Sequence, residues 1–217
     1  GWSDISNISF ATLYRFTSSS RSADDENTHY TTHNCTFEET MPNEKLVTCF
    51  FNVGFMALPG EWIVNMTVTD LSGANISAAR TTLVNDMTAI ELADSSVDFG
   101  VIMRGANSSA PGNMTIKNMG NVQINAMLSG TNYTCSTGTI PVEKTRYSLS
   151  AGNYDSMSLV LSAVPTGQYN LGLGMRGVAT ADGTDSTGQE YWTIIIPSSG
   201  VSGTCNNTIS VTAIGGT

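Results

Sequence analysis

Few side chains in this 217-residue chain are spaced for chemistry. Its two histidines, His29 and His33, sit at i and i+4 in Thr28-His29-Tyr30-Thr31-Thr32-His33. On a helix that spacing would aim both rings at one metal ion, but the segment has no helical pattern and no third ligand beside it. It reads as a solvated loop. Asp182-Gly183-Thr184-Asp185-Ser186-Thr187-Gly188-Gln189-Glu190 and Ala23-Asp24-Asp25-Glu26-Asn27 offer oxygen donors of the kind that bind Ca²⁺. Neither has EF-hand spacing, so both read as solvated acidic loops. Glu38, Glu39 and Glu44 are carboxylates that a glycosidase could pair, yet they flank an expected hairpin tip. The sequence contains no G-x-S-x-G elbow, P-loop or dinucleotide fingerprint. Its ten Met residues include no Met-x-x-Met cluster for copper and read as core filler. A non-enzymatic role without metal or organic cofactor is the expectation.

The informative side chains are Cys and Asn. Cys35, Cys49, Cys135 and Cys205 form no C-x-x-C pair, which argues against zinc and for two disulfides. Four cysteines permit three pairings. Cys35–Cys49 with Cys135–Cys205 is favoured: the first closes a local hairpin across Glu38–Glu44, and the second ties a mid-chain loop to the last strand. The chain-entropy description gives roughly 3 kcal/mol for the short loop and about 4 for the long one. Sequons N-x-S/T occur at Asn7, Asn34, Asn65, Asn75, Asn107, Asn113, Asn132 and Asn206. That is roughly double what the Asn, Ser and Thr content would produce at random, and it suggests a chain exposed to N-glycosylation. Together these residues imply an oxidising, extracellular or cell-surface setting. Gly1-Trp2-Ser3-Asp4 reads as a start left after removal of a signal peptide.

Composition agrees. Charged residues make up 12%, about half the usual share. The net charge is −9, and the nine basic residues are scattered. Only Lys144 and Arg146 are neighbours, so a phosphate-binding surface is not built, and nucleic acid and anionic membranes are not expected partners. No apolar run reaches the ~18 residues of a membrane-spanning helix.

The elements that must position these residues read as strands. Alternation recurs where a helical stripe does not. Ile8, Phe10, Tyr14 and Phe16 share one face of 8–16, and Trp62, Val64, Met66 and Val68 share one face of 62–69. Residues 46–56 are apolar on both faces and read as an inner strand. Residues 76–84 make a return strand after the turn Asp70-Leu71-Ser72-Gly73. A second unit starts after Asn85-Asp86-Met87, with strands over 89–92, 97–102, 114–118, 122–128, 157–161, 191–196 and 208–214. Ser18–Asn27 and Ala179–Glu190 read as exposed loops. The expected fold is all-β, two antiparallel β-sandwich domains in tandem over 1–86 and 87–217.

Asp98-Phe99-Gly100, Gly105 and Met114-Thr115-Ile116-Lys117-Asn118-Met119-Gly120-Asn121-Val122 form a series that resembles the immunoglobulin-like (Ig-like) β-sandwich modules of archaeal and bacterial surface proteins. Tyr191–Pro197, Gly203 and Thr208–Thr212 resemble the last hairpin of such modules. Gly60-Glu61-Trp62 with Val68–Gly73 resembles a generic Ig-like strand pair. The resemblance spans most of the chain at the level of pattern, and it carries function only by analogy.

Secreted Ig-like subunits of this kind build archaeal thread and bundling-pilus filaments and TasA-type biofilm fibres. There, a terminal strand of one subunit completes the sheet of the next. The resemblance therefore implies a glycosylated homopolymer joined by strand donation. The donor expected here is 1–16, with Trp2, Ile5, Ile8 and Phe10 as anchors; the other reading of that stretch is an ordinary first strand of its own domain. The strand Cys205–Ile214 is a weaker donor because Cys205 would hold it at home. A type IV pilin would need a long apolar N-terminal helix, and the sequence has none. The alternative function is a surface-layer protein, or an adhesin or carbohydrate-binding module with Trp2, Trp62 and Trp192 as candidate sugar platforms, although Trp62 and Trp192 sit in strands and read as core.

Overall fold

The computed structural model describes residues 5–41, 44–70, 72–165, 169–173 and 186–215; for 5–9, 39–41, 44–45 and 169–173 the backbone alone is described. Every strand pair among them is antiparallel. The chain divides into two compact units, one over Gly1–Met87 and one over Thr88–Arg176 with Thr184–Thr217.

In the first unit, β1 (Ile5–Arg15), β2 (His29–Thr32), β5 (Gly60–Asp70) and β6 (Asn75–Val84) form one sheet in the order β2-β1-β5-β6. β3 (Cys35–Met41) and β4 (Glu44–Cys49) form a separate two-stranded ribbon. Cross-strand partners share a face, so the register places Leu13 opposite Val64 and Trp62 opposite Thr82 on one side. That side carries the core: buried Leu13, Ala57 and Trp62, with Tyr30, Phe51, Val64 and Val84 packed on them. The Trp62 indole N–H donates to the Leu58 carbonyl at 2.8 Å, which satisfies the one polar atom this ring buries.

The inner strand expected over 46–56 ends early. β4 stops at Cys49, and the chain then runs irregularly with Phe50, Val53 and Phe55 exposed. Phe51, Met56 and Ala57 turn inward instead. The physical reason is long-range: the Asn27 side-chain amide donates to the Met56 carbonyl at 2.8 Å, and Leu58 N–H donates to the Asn27 carbonyl at 2.8 Å. These bonds hold the segment as a bend. Asn27 is itself buried, so the Ser18–Asn27 loop is exposed only up to that residue.

The second unit holds β7 (Ile90–Leu92), β8 (Gly112–Asn118), β9 (Ile124–Gly130), β10 (Tyr133–Thr137), β11 (Thr139–Ile140), β12 (Thr145–Ser148), β13 (Leu159–Val160), β14 (Tyr169–Leu173), β15 (Thr187–Ile194), β16 (Ser202–Asn206) and β17 (Ile209–Gly215). A five-stranded sheet, β13-β12-β15-β8-β7, faces a three-stranded one, β14-β9-β17. Between them lies a sandwich core of Met114, Ile116, Tyr147 and Trp192 from the first sheet against Ile124, Ala126 and Leu128 from the second. The burial pattern of β8 alternates as a half-buried strand should.

A small third sheet, β11-β10-β16, adds its own cluster of Tyr133, Ile140, Ile194 and Val201. Its tight turn needs glycine: Gly138 has φ +79°, and a Cβ there would run into the Gly200 carbonyl. The strand expected at 97–102 is an irregular strap. Val97, Phe99 and Ile102 pack inward while Val101 and Met103 face solvent. The Asp98 carboxylate accepts from Gly100 N–H at 2.8 Å, turning the chain at Gly100, whose φ is +68°.

Candidate functional site

The most exposed regular element is β6. Its register with β5 runs without a break from Gly60 opposite Val84 to Thr69 opposite Asn75. Nine of its ten side chains are exposed, and as the last strand of the sheet it has a free edge among the described residues. Ile76 is 68% exposed and Leu83 66%. Of β6, Val84 at its end packs on the core under the sheet, while Thr82 and Arg80, opposite Trp62 and Val64, are both exposed. The apolar row on that face continues past the core as Met66 and Val68, opposite Ala78 and Ile76. The other face carries Asn65, Thr67 and Thr69 opposite Ala79, Ser77 and Asn75. It is polar, and it holds both sequons of the β5–β6 ribbon.

A second feature is a groove of about 350 Å³ lined by Tyr30, Asn34, Phe50, Phe51 and Asn52 with neighbouring threonines. It is built around the first disulfide. Cys35 lies opposite Cys49 in the β3–β4 register and is bonded to it. Asn34 precedes one cysteine and Phe50 follows the other, so closing the ribbon places them together. The second disulfide, Cys135–Cys205, likewise joins directly opposed residues, of β10 and β16. Both pairings are the ones favoured from sequence.

The histidines do not form a loop pair. His29 lies in β2, buried, with its Nδ1 2.8 Å from an Asp24 carboxylate oxygen and its ring stacked on Tyr14. The solvated-loop expectation fails for His29 because strand pairing with Tyr14 carries it inward. His33 is exposed. The acidic loop at 23–27 uses its carboxylates internally. Asp25 accepts from Asn27 N–H and from the N–H and hydroxyl of Thr28. Burial pushes the Asp25 carboxyl up, but these hydrogen bonds outweigh it and hold it below the usual range. Residues 182–185 of the other acidic stretch lie outside the described residues; its last residue, Glu190, is fully buried in β15. Neither Glu190 carboxylate oxygen has a hydrogen-bond partner among the described residues, and burial pushes its pKa up to about 8. Nothing in the sequence separated this carboxylate from its solvated neighbours, because the strand period that buries it also passes through Gly188. Among the described residues no cluster of His, Cys, Asp and Glu is placed to hold a metal, and no helix is long and apolar enough to cross a membrane.

Trp62 and Trp192 are fully buried, so neither is a sugar platform. Trp2 lies outside the described residues. Of the sequons, Asn34, Asn75, Asn107, Asn113, Asn132 and Asn206 are exposed and Asn65 is half-buried; Asn7 lies in β1 with its side chain outside the described set. Asn132 also accepts from Val142 N–H at 2.9 Å.

The stretch expected as a donor is paired within its own unit. Ile5–Arg15 is β1, paired to β5 from Ile5 opposite Asp70 to Arg15 opposite Trp62, and to β2 over Ala11–Tyr14. Ile5, Ile8 and Phe10 therefore lie in a strand of their own unit, the second of the two readings of this stretch; the register shifts between Ile5 and Ser9, and β2 covers the other edge only over Ala11–Tyr14.

No family model matches the chain, and no curated protein matches it. Among solved structures, it is similar to the crystal structure of the CsuC–CsuE chaperone–tip adhesion subunit pre-assembly complex from archaic chaperone-usher Csu pili of Acinetobacter baumannii. The identity is 11%, over 97% of this chain and 87% of that one, with a TM-score of 0.38. A likeness of that degree decides neither the finer fold nor a function.

Proposed function

We propose that the chain is a secreted, non-catalytic structural subunit that joins copies of itself through the free edge of β6. The observation that carries this reading is β6 itself: a ten-residue edge strand with nine exposed side chains, whose exposed Ile76 and Ala78 lie opposite half-buried Val68 and Met66. A strand from another copy would satisfy the unpaired N–H and C=O groups of that edge and cover Met66, Val68, Ala78 and Ile76. A head-to-tail contact of this kind, if it does not close, propagates as a filament or pilus. Archaeal thread or TasA-like fibres are the finer form of this reading. Two disulfides and eight sequons support a secreted, N-glycosylated subunit at the cell surface. Placing the acceptor at β6 does not depend on which terminus donates; donation by 1–16 would require β1 to leave β5.

The test is negative-stain microscopy and sedimentation of the wild type beside an Ile76→Lys/Ala78→Lys variant. Both side chains are exposed, so the variant should fold and stay monomeric where the wild type assembles. A variant that assembles like the wild type, or a wild type that is monomeric at every concentration, would sink the reading.

A further inference from the structure

The groove beside the first disulfide has no part in strand pairing. The four-residue edge of β2 next to it is taken up at its start, where Asp25 N–H donates to the His29 carbonyl, and just beyond the strand Phe50 N–H donates to the Asn34 carbonyl, each at 2.9 Å. What remains is too short to seat a strand.

Its walls are rigid. The Thr32 hydroxyl donates to the Phe50 carbonyl at 2.8 Å, tying β2 to the segment after β4. The Tyr30 hydroxyl donates to the Glu26 carbonyl at 2.6 Å and accepts from Gly54 N–H at 3.2 Å, while its ring packs 5.9 Å from Trp62. Against this frame Phe50 is 55% exposed. The side-chain amides of Asn34 and Asn52 have no hydrogen-bond partner among the described residues, and no charged residue lines the groove.

We propose that this groove binds a neutral saccharide. Sugar rings present C–H faces that stack on aromatic rings and hydroxyls that pair with amides, and this site offers both. A purely apolar ligand would make no use of the exposed Asn34 and Asn52 amides, and an ionic one would find no counter-charge among the lining residues. A volume of about 350 Å³ falls at the small end of ligand sites. The sugar has two possible sources: a glycan on Asn34 itself, whose sequon is Asn34-Cys35-Thr36, folding back on Phe50 and Phe51, or a saccharide on another molecule.

Two arms test this. In the first, the full chain, made in a host without N-glycosylation and with both disulfides verified, is probed on an array of neutral and acidic oligosaccharides and by saturation-transfer NMR. Binding to neutral hexose or N-acetylhexosamine oligomers is expected. Phe50→Ala and Asn52→Ala should each weaken it about tenfold, a change typical of losing one aromatic or hydrogen-bonding contact, while Leu83→Ala on β6 leaves it intact. In the second arm, the protein made in glycosylating cells should show nuclear Overhauser contacts between sugar C–H groups and the Phe50 and Phe51 rings, lost in Phe50→Ala. Success of the first arm alone assigns an external sugar; success of the second alone assigns the chain's own glycan. The proposal is overturned if both arms are negative, if only acidic sugars bind, or if binding survives Phe50→Ala and Asn52→Ala. If Asn34 carries no glycan, the first arm alone decides.

Discussion

Phe50 N–H donates to the Asn34 carbonyl at 2.9 Å immediately outside the Cys35–Cys49 disulfide, so the covalent bond and the hydrogen bond close the same end of one ribbon. Neither residue is near the other in sequence; the opposed cysteines bring them together. This bond should depend on the disulfide. In a Cys35→Ser/Cys49→Ser variant, hydrogen exchange at Phe50 N–H and along β3–β4 should accelerate. The loop-entropy description puts the loss at about 3 kcal/mol. Unchanged protection would mean that the ribbon is held by its strand pairing alone.

Glu190 gives the chain a pH dependence of defined sign. A free Glu ionises near 4.5, whereas burial holds Glu190 protonated to about 8 in the folded state. Between those values the unfolded chain loses a proton that the folded chain retains, so stability falls as pH rises, by up to ~1.4 kcal/mol per pH unit, and levels off above about pH 8. Glu190→Gln keeps the shape and removes the titration. Urea denaturation should show the variant increasingly more stable than the wild type from about pH 5 to about pH 8. A difference that stays constant across that range would refute a neutral buried carboxyl.

The position of β1 makes a prediction about truncation. Ala11, Thr12 and Leu13 are buried, and β1 lies between β2 and β5. Leu13→Ala should cost about 2–4 kcal/mol through lost burial and the cavity left behind. Deleting residues 1–16 should abolish hydrogen-exchange protection in β5 while β8 and β15 stay protected. A truncated chain with β5 still protected would show that β1 is dispensable at home, as a donor strand must be.

The buried tryptophans should behave as core. Trp192 stacks on Tyr147 with ring centroids 5.0 Å apart inside the sandwich. Trp192→Ala should destabilise the second unit by about 3–5 kcal/mol. At Trp62, a like loss in the first unit is expected. Calorimetry reads both; a thermal midpoint unchanged in either variant would reopen the surface-platform reading of that residue.

Much of this was legible in the residues. The disulfide pairing followed from cysteine spacing, because a hairpin between Cys35 and Cys49 leaves a turn of ordinary length. The strand at 62–69 and its return strand were readable because period-two alternation is a local property of the chain. The irregular run after Cys49 was not, since Phe50–Met56 is apolar enough for a strand and only the bonds from distant Asn27 bend it.

The sequence by itself determined the all-β class and the sequons and favoured one of three cysteine pairings, since alternation, spacing and tripeptides are properties of neighbouring residues. Tertiary structure alone decided which strand is left at an edge, that Glu190 is sealed in the core, and that Asn34 meets Phe50. Each of these depends on which strands lie side by side. The pairing of β1 with β5 likewise rests on long-range packing around Leu13 and Trp62, which no local pattern encodes.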